Sequence, residues 1–315
     1  MAEKSSEIFS ENAINPSDEG SNTPPQHGLD EYDILRNSSE DEVLIDKPTE
    51  DEVARNKPES VEKPNRPRAL STKSVDVVTR EITCPRVNCP EKIVICLDLS
   101  SEMSSIILRS RSGDKFAPIK LVKRALGIFC HTKHQVDKRH QFAIVVLHER
   151  GIWVRPFTSN PKEVITFLDD LNDTYPCETF NLTSLFDEVH ANIKLPHVEN
   201  PTVVPPPYVV RMILIYGRSH CIPEFKNGRE SYKLLRSSPY FFLDVFYVHE
   251  PPSDDNKCED VFDSLCDLDE HGLSYIMEVS KNLTKLYDHM IQLASHPLQR
   301  PLQKDCHYKL KERES

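Results

Sequence analysis

Three oxygen-bearing side chains that could bind a metal ion follow a short apolar run. Ile93 to Leu97 are all apolar, and Asp98, Ser100 and Glu102 come directly after them at alternate positions. An aspartate and two hydroxyls at D-x-S-x-S spacing, joined by a threonine and an aspartate from later loops, would supply the oxygen ligands that Mg²⁺ prefers. A glutamate stands here in place of the second hydroxyl. The sequence therefore predicts either a magnesium site or the remnant of one.

Asp98 lies at the end of the first of several predicted strands. Near-continuous apolar runs are typical of strands buried on both faces, and the chain has four of them: Lys92 to Leu97, Phe142 to Leu147, Val209 to Tyr216 and Tyr240 to Val248. Between and after these runs, apolar residues recur three and four positions apart, which predicts helices. Those helices begin near Pro118, Pro161, Leu182 and Leu283, and a short strand near Ser274 to Val279 precedes the last of them.

This alternation predicts the fold class α/β, with a doubly wound, mostly parallel sheet that carries helices on both faces. The proline-rich stretch from Pro201 to Pro207 predicts a loop, because prolines lack the donor that a sheet needs. Ligands of such sheets bind beyond the carboxyl ends of the strands, which is where Asp98 is expected.

Composition divides the chain into four regions. Residues 1–62 carry 17 acidic and 5 basic side chains and few aromatic ones, which predicts a disordered acidic tail. We expect residues 63–90 to form a basic linker, residues 91–296 the α/β domain, and residues 297–315 a C-terminal docking segment. The sequence shows no secretory leader, no membrane span and no C-x-x-C pair among its nine cysteines. These features predict a soluble, intracellular protein with free thiols.

Motifs of known enzymes are absent from the sequence. A zinc hydrolase needs two closely spaced histidines with a carboxylate and an activating glutamate, and the chain has neither H-x-H nor H-E-x-x-H. Phosphate-binding glycine loops and the G-x-S-x-G nucleophile turn are also missing. The predicted domain is nearly neutral, which disfavours direct binding to nucleic acid. We therefore expect a protein that is not an enzyme, binds no cofactor and acts through other proteins.

Four separated segments resemble one known family. They are RVNCPEKIVICLDLSSEMS at 86–104, PPPYVVRMILIYGRS at 205–219, SPYFFLDVFYVHE at 238–250 and LASHPLQRP at 293–301. In this order they resemble the von Willebrand factor A-like adaptor subunit shared by the BRISC deubiquitinase assembly and a related nuclear A complex. The resemblance implies a von Willebrand factor A-like fold and a non-catalytic role in stabilising an assembly that cleaves lysine-63-linked polyubiquitin.

The resemblance also implies partners and processes. The partners would be a ubiquitin-fold-like scaffold subunit and a JAMM-type zinc metalloprotease with its pseudo-protease partner. The implied processes are DNA damage response and repair, checkpoint control, chromatin regulation and mitosis, and the implied location is both the cytoplasm and the nucleus. No membrane is expected to take part.

The D-x-S-x-S segment resembles the metal-ion-dependent adhesion site of von Willebrand factor A domains. Thr179 resembles the metal-facing threonine of that family, whereas Tyr216 stands where an aspartate commonly precedes a glycine. With Glu102 and Tyr216 in these places, we expect a degenerate site without metal, in which Asp98 and Ser100 bond to loop N–H groups. The alternative is a ligand-binding domain in which Asp98, Ser100 and Thr179 hold Mg²⁺.

Two short segments are candidates for interaction or modification. Pro297, Leu298, Gln299, Arg300 and Pro301 follow the last predicted helix, where prolines either simply end the helix or present an extended docking segment. The family resemblance favours docking, with Leu298 inserted into a partner's groove and Arg300 paired with its acids. In the linker, R-x-R-x-x-S spacing makes Ser71 a candidate phosphorylation site, where phosphate would reverse the local charge.

Overall fold

The computed structural model describes residues 84–105, 108–109, 114–280 and 283–306. The predicted acidic tail, Ser71, most of the predicted linker and residues 307–315 lie outside this described part. Six strands form the main sheet in the order β10-β9-β7-β1-β4-β5, and all neighbours are parallel except β4 and β5. The strands of this sheet are β1 (Glu91–Asp98), β4 (Gln141–Leu147), β5 (Gly151–Thr158), β7 (Val209–Tyr216), β9 (Phe241–Val248) and β10 (Ile276–Val279).

Two pairs of two-residue strands lie outside the main sheet. Strand β2 (Leu108–Arg109) pairs antiparallel with β3 (Lys115–Phe116), and β6 (Phe180–Asn181) pairs parallel with β8 (Pro223–Glu224). The α-helices of the described residues are α1 (Glu102–Ser105), α2 (Pro118–Val136), α3 (Pro161–Asp170), α4 (Leu182–Asn192), α5 (Glu230–Ser237), α6 (Cys258–Cys266) and α7 (Leu283–Leu293), and a short 3-10 helix covers Gln303–Asp305.

The side chains of β1 alternate between two hydrophobic cores, one on each face of the sheet. Ile93, Ile95 and Leu97 pack with helices α2, α3 and α7. Val94 and Cys96 pack with helices α4, α5 and α6 on the other face. A central strand in a doubly wound sheet needs apolar side chains in both directions, which is why β1 has a continuous apolar run. The predicted fold class is confirmed.

The predicted elements are present, and among those that the sequence patterns did not indicate are β5, α5 and α6 and several shorter elements. Strand β5 is a half-exposed edge strand in which Arg155 and Pro156 interrupt the apolar run, and its pairing with β4 is irregular. Helices α5 and α6 are only eight and nine residues long and bury few side chains. Residues 201–207 form a loop, as predicted.

The packed region extends beyond both predicted bounds of the domain. Cys84, Cys89 and Leu298 are buried together with Val209 and Tyr240, in a third, smaller cluster that includes the start of β7. Residues 84–90 therefore pack on the domain, and so does the segment after residue 296. None of the nine cysteines takes part in a disulfide. No helix in the described residues is long and apolar enough to span a bilayer.

Candidate functional site

Asp98 ends β1 as a fully buried carboxylate whose two oxygens already accept hydrogen bonds from the backbone. The N–H of Ser100 donates to Oδ1 at 2.9 Å, and the N–H of Gly217 donates to Oδ2 at 2.9 Å. Gly217 follows β7, and its close approach needs glycine because a Cβ there would overlap the side chain of Met103. The loops after β1 and β7 are thus joined through Asp98.

Arg218 supplies the positive charge that this buried carboxylate needs. Its Nε lies 3.0 Å from Oδ2 of Asp98, and its Nη2 lies 3.1 Å from Oδ1. Nη1 donates to the carbonyl of Thr179 at 3.1 Å, and Nη2 also donates to the carbonyl of His148. The guanidinium is fully buried, with its Cζ 5.0 Å from the centre of the Phe180 ring. A side-chain cation therefore takes the place beside Asp98 that a metal ion would need.

The charge of Arg218 is stable in this position. Burial acts to lower the pKa of the guanidinium, but the negative charge of Asp98 and the hydrogen bonds to it outweigh burial and raise the pKa above its ordinary value. A permanently charged planar group that donates in two directions at once fits a carboxylate better than a lysine would.

Ser100 and Glu102 lie beside this pair, and their side-chain oxygens already make hydrogen bonds within the chain. The Oγ of Ser100 donates to the carbonyl of Gly217 at 3.4 Å, and Oε2 of Glu102 accepts from the N–H of Ser219 at 2.6 Å. Burial raises the pKa of Glu102, although the Ser219 hydrogen bond opposes this effect. Thr179 has an exposed side chain and reaches the site only through its carbonyl.

Tyr216 is buried below the site, and its hydroxyl donates to the carbonyl of Cys221 at 2.7 Å. Burial raises the pKa of this hydroxyl well above its ordinary value, so it stays protonated and neutral. Asp98, Ser100 and Glu102 are thus brought together as the sequence indicates, but their oxygens bind N–H groups, a carbonyl and a guanidinium. This donor set does not fit a divalent cation. Across the described ranges, no cluster of three or more histidine, cysteine or acidic side chains could hold one.

The predicted docking segment is largely engaged with its own domain. Leu298 is fully buried in the third cluster, and Pro297 is also buried. Arg300 makes a bidentate pair with Asp244 of β9, at 2.9 and 2.5 Å, and its Cζ lies 3.9 Å from the centre of the Tyr275 ring. The expectation that Leu298 and Arg300 insert into a partner is corrected accordingly: both bind inside this chain. Gln299 and Pro301 are exposed.

Arg300 belongs to a buried ionic cluster at the amino ends of the strands. Arg211 donates to Asp244 at 2.7 Å through Nε and lies 3.4 Å from Glu91 through Nη1. Lys133, from the last turn of α2, also pairs with Glu91. Burial acts to raise the pKa of Asp244, but Arg300 and Arg211 hold it at about 2. Three strands (β1, β7 and β9), helix α2 and the segment after α7 are therefore joined by charges that solvent does not screen.

His296 connects the docking segment to the same cluster. Its Nδ1 accepts from the N–H of Leu298 at 3.2 Å, so its Nε2 carries the proton and donates to the carbonyl of Cys89 at 3.1 Å. Burial lowers the pKa of His296 to about 4, although the nearby charge of Glu91 opposes this effect. The ring is therefore neutral at pH 7 and is fixed by both of its nitrogens.

Comparison with known proteins shows the family. No family model matches the chain. "BRISC and BRCA1-A complex member 1" of Danio rerio is 41% identical over 257 residues, which cover 80% of this chain and 69% of that protein. The proteins of the same name from Xenopus laevis and Homo sapiens are 43% and 42% identical over 74% of this chain, and 72% of each is covered. The chain belongs to this family.

Membership in the BRISC and BRCA1-A complex member 1 family confirms the resemblance drawn from the four sequence segments. Solved structures with similar folds include the VWA domain of SpRpn10, which covers 68% of this chain and 99% of that structure at 10% identity and a TM-score of 0.41. A von Willebrand factor type A structure from Catenulispora acidiphila covers 67% of this chain and 43% of that structure, at 13% identity and a TM-score of 0.40.

Removing either partner of the Asp98 and Arg218 pair should destabilise the protein strongly. Asp98→Ala and Arg218→Ala each leave one buried charge unpaired, and we expect a loss of about 3–5 kcal/mol in the free energy of unfolding from either change. The double variant should lose clearly less than the sum of the two, as measured by urea unfolding. Mg²⁺ should leave the unfolding temperature of the unmodified protein unchanged, because Arg218 occupies the place beside Asp98.

A matched control is the pair of Asp137 and Arg139, which lie 2.7 Å apart with the arginine side chain 70% exposed. Solvent screens this pair, so the double-mutant cycle of Asp137→Ala and Arg139→Ala should give a much smaller coupling. The assignment of Arg218 as the buried partner of Asp98 would be contradicted if the losses in unfolding free energy from the two single changes simply added in the double variant. A saturable stabilisation by Mg²⁺ would also contradict it.

Stability should fall in mild acid because His296 is held neutral in the folded state. Its pKa is about 4 in the folded chain, below the ordinary histidine value of about 6.5, so the unfolded chain binds the proton more tightly. The stabilising contribution is complete above pH 6.5 and is lost as the pH falls through about 4, by at most about 3 kcal/mol. Urea unfolding at several pH values should show a shallower loss in His296→Gln. A loss of the same size in His296→Gln as in the unmodified chain would refute the idea.

Proposed function

We propose that this chain is a non-catalytic adaptor subunit of a deubiquitinase assembly that cleaves lysine-63-linked polyubiquitin. Membership in the BRISC and BRCA1-A complex member 1 family carries the proposal, because those relatives are named as members of complexes. The absence of a zinc-hydrolase motif from the sequence supports a role without catalysis. The Asp98 and Arg218 pair disfavours the alternative of Mg²⁺-dependent ligand binding.

In this proposal the chain binds a ubiquitin-fold-like scaffold subunit and leaves hydrolysis to a JAMM-type zinc metalloprotease with its pseudo-protease partner. The chain would serve in the cytoplasm and the nucleus, in DNA damage response and repair, checkpoint control, chromatin regulation and mitosis. Its contribution is to stabilise the assembly rather than to contact the bond that is cleaved.

The docking segment acts in this role through its exposed residues. Gln299 and Pro301 are exposed to solvent. Leu298 and Arg300, which alternate with them along the chain, are buried and so hold the backbone of the segment in place. The hydroxyl of Tyr275 also donates to the carbonyl of Pro301 at 2.7 Å, which holds the end of the segment. A segment that is already ordered loses little conformational entropy on binding, and this favours its use as a contact.

Affinity purification of the tagged full-length chain tests the proposed function. We expect the zinc metalloprotease, its pseudo-protease partner and the ubiquitin-fold-like scaffold subunit to co-purify. The assembly should cleave lysine-63-linked ubiquitin chains and lose this activity with a zinc chelator, because the protease holds the catalytic zinc. The isolated chain should cleave nothing. Cleavage by the isolated chain, or purification without any of these subunits, would disprove the proposal.

Substituting the exposed residues of the docking segment should weaken assembly without unfolding the domain. Gln299→Ala with Pro301→Ala should lower the affinity for the scaffold subunit about tenfold, a typical effect of losing direct contacts in an interface. Because both residues are exposed, the unfolding temperature should stay close to that of the unmodified chain. Lys120→Ala, at an exposed position on α2 outside the docking segment, is the control and should bind normally. Normal binding by the double variant would remove the segment from the interface.

A further inference from the structure

The connection between α4 and β7 exposes a group of apolar side chains to solvent. These side chains belong neither to the hydrophobic cores nor to the docking segment. Val203 is 69% exposed and Val204 is 48% exposed, and Pro205 and Pro207 are exposed beside them. No charged residue occurs from Asn200 to Val210, in a chain of which 28% is charged. Contiguous exposed apolar side chains without charges make this connection a candidate contact surface. We call residues 200–207 the proline-rich turn.

The proline-rich turn is held in one shape from both ends. At its start, the N–H groups of Val203 and Val204 donate to the carbonyl of Asn200 at 3.2 and 2.9 Å, and the hydroxyl of Thr202 donates to the amide oxygen of the same residue at 2.8 Å. At its far end, Pro206 is buried. The valines are therefore presented on an ordered backbone, which lowers the entropy that binding would cost.

Tyr208, directly after the turn, makes its contacts within the domain. Its hydroxyl donates to the carbonyl of Lys194 at 2.9 Å, and Nζ of Lys92 lies 4.1 Å from the centre of its ring. The sequence P-P-P-Y at 205–208 could in principle be bound through its tyrosine, but this ring and this hydroxyl already have partners. A partner can therefore contact the valines and the exposed prolines, but not the tyrosine.

The chemistry of the turn defines the kind of surface that fits it. Three successive prolines offer carbonyl oxygens but no N–H donors, and they favour the extended polyproline conformation. Aromatic-lined grooves bind such segments, since flat rings pack against proline and their N–H or O–H groups donate to the carbonyls. Two β-branched side chains next to the prolines add apolar surface and no charge. The complement is an uncharged groove with aromatic walls.

The turn lies at the same end of the domain as the docking segment. Val198, shortly before the turn, packs against the cluster that holds Leu298, together with Val209 and Phe242 at the starts of β7 and β9. We propose that Val203 to Pro207 is a second docking element, which inserts into an aromatic-lined groove on another subunit of the assembly. This inference rests on the proposed function and adds a contact that is separate from Gln299 and Pro301.

The test measures the affinity of the full-length chain for the other subunits of the assembly. Val203→Ser with Val204→Ser should weaken binding about tenfold, since two apolar side chains lose their burial. The unfolding temperature should not change, because both positions are exposed. Ile291→Ser is the matched control: Ile291 is 68% exposed on α7, and its replacement should leave the affinity unchanged. A photoreactive side chain at position 203 should cross-link to one subunit of the assembly, and the same group at position 291 should not.

Unchanged affinity in the double valine variant, or an equal loss in Ile291→Ser, would overturn the second docking element while leaving the proposed function in place. Cross-linking of position 203 to no subunit would overturn it as well. If the unmodified chain fails to join the assembly at all, the proposed function and this inference both fall. Tenfold weakening that is confined to the valines, together with a position-specific cross-link, is the result that establishes the contact.

Discussion

Strand β1 has a buried carboxylate at each end, and the arrangement of its neighbours depends on this constraint. Glu91 and Asp98 are both fully buried at the ends of an apolar strand. A carboxylate in that position is destabilising unless other elements bring a cation and N–H donors to it. Strand β7 supplies a cation to each end of β1. Arg211, near the start of β7, pairs with Glu91, and Arg218, just after the end of β7, pairs with Asp98. A slip in the parallel register of β1 and β7 would separate both pairs at once.

The pairing at Asp98 changes what the carboxyl edge of the sheet can do. A bound Mg²⁺ keeps some exchangeable ligands, so a partner can supply an oxygen to it. Arg218 is attached to the chain, is fully buried and has hydrogen bonds to Asp98, Thr179 and His148. It therefore stabilises the loops permanently and offers no free position to a ligand. The edge where such folds usually bind ligands contributes rigidity in this protein.

The sequence predicted the elements with long apolar periodicity and missed contacts between distant residues. Strands buried on both faces are visible as apolar runs, whereas β5 is hidden because Arg155 and Pro156 interrupt its apolar run at exposed positions on a sheet edge. Arg218 is visible directly after Gly217, but its return to Asp98 depends on the register of β1 and β7, which local patterns do not encode. Arg300 suggested an outward contact because its partner, Asp244, is 56 residues away in sequence.

The burial of Asp244 fixes the segment after α7 to the amino-terminal half of the sheet. Its carboxylate binds Arg211 of β7 and Arg300 of the docking segment, and Arg211 in turn reaches Glu91 at the start of β1. Detachment of Arg300 would leave the buried carboxylate of Asp244 with Arg211 as its remaining cation, so the segment after α7 detaches only at an energetic cost. The proposed adaptor role would need contact residues that do not move when other subunits bind. Anchoring an exposed segment to a buried ionic cluster meets that need, because the stability of the core then also fixes the position of the surface.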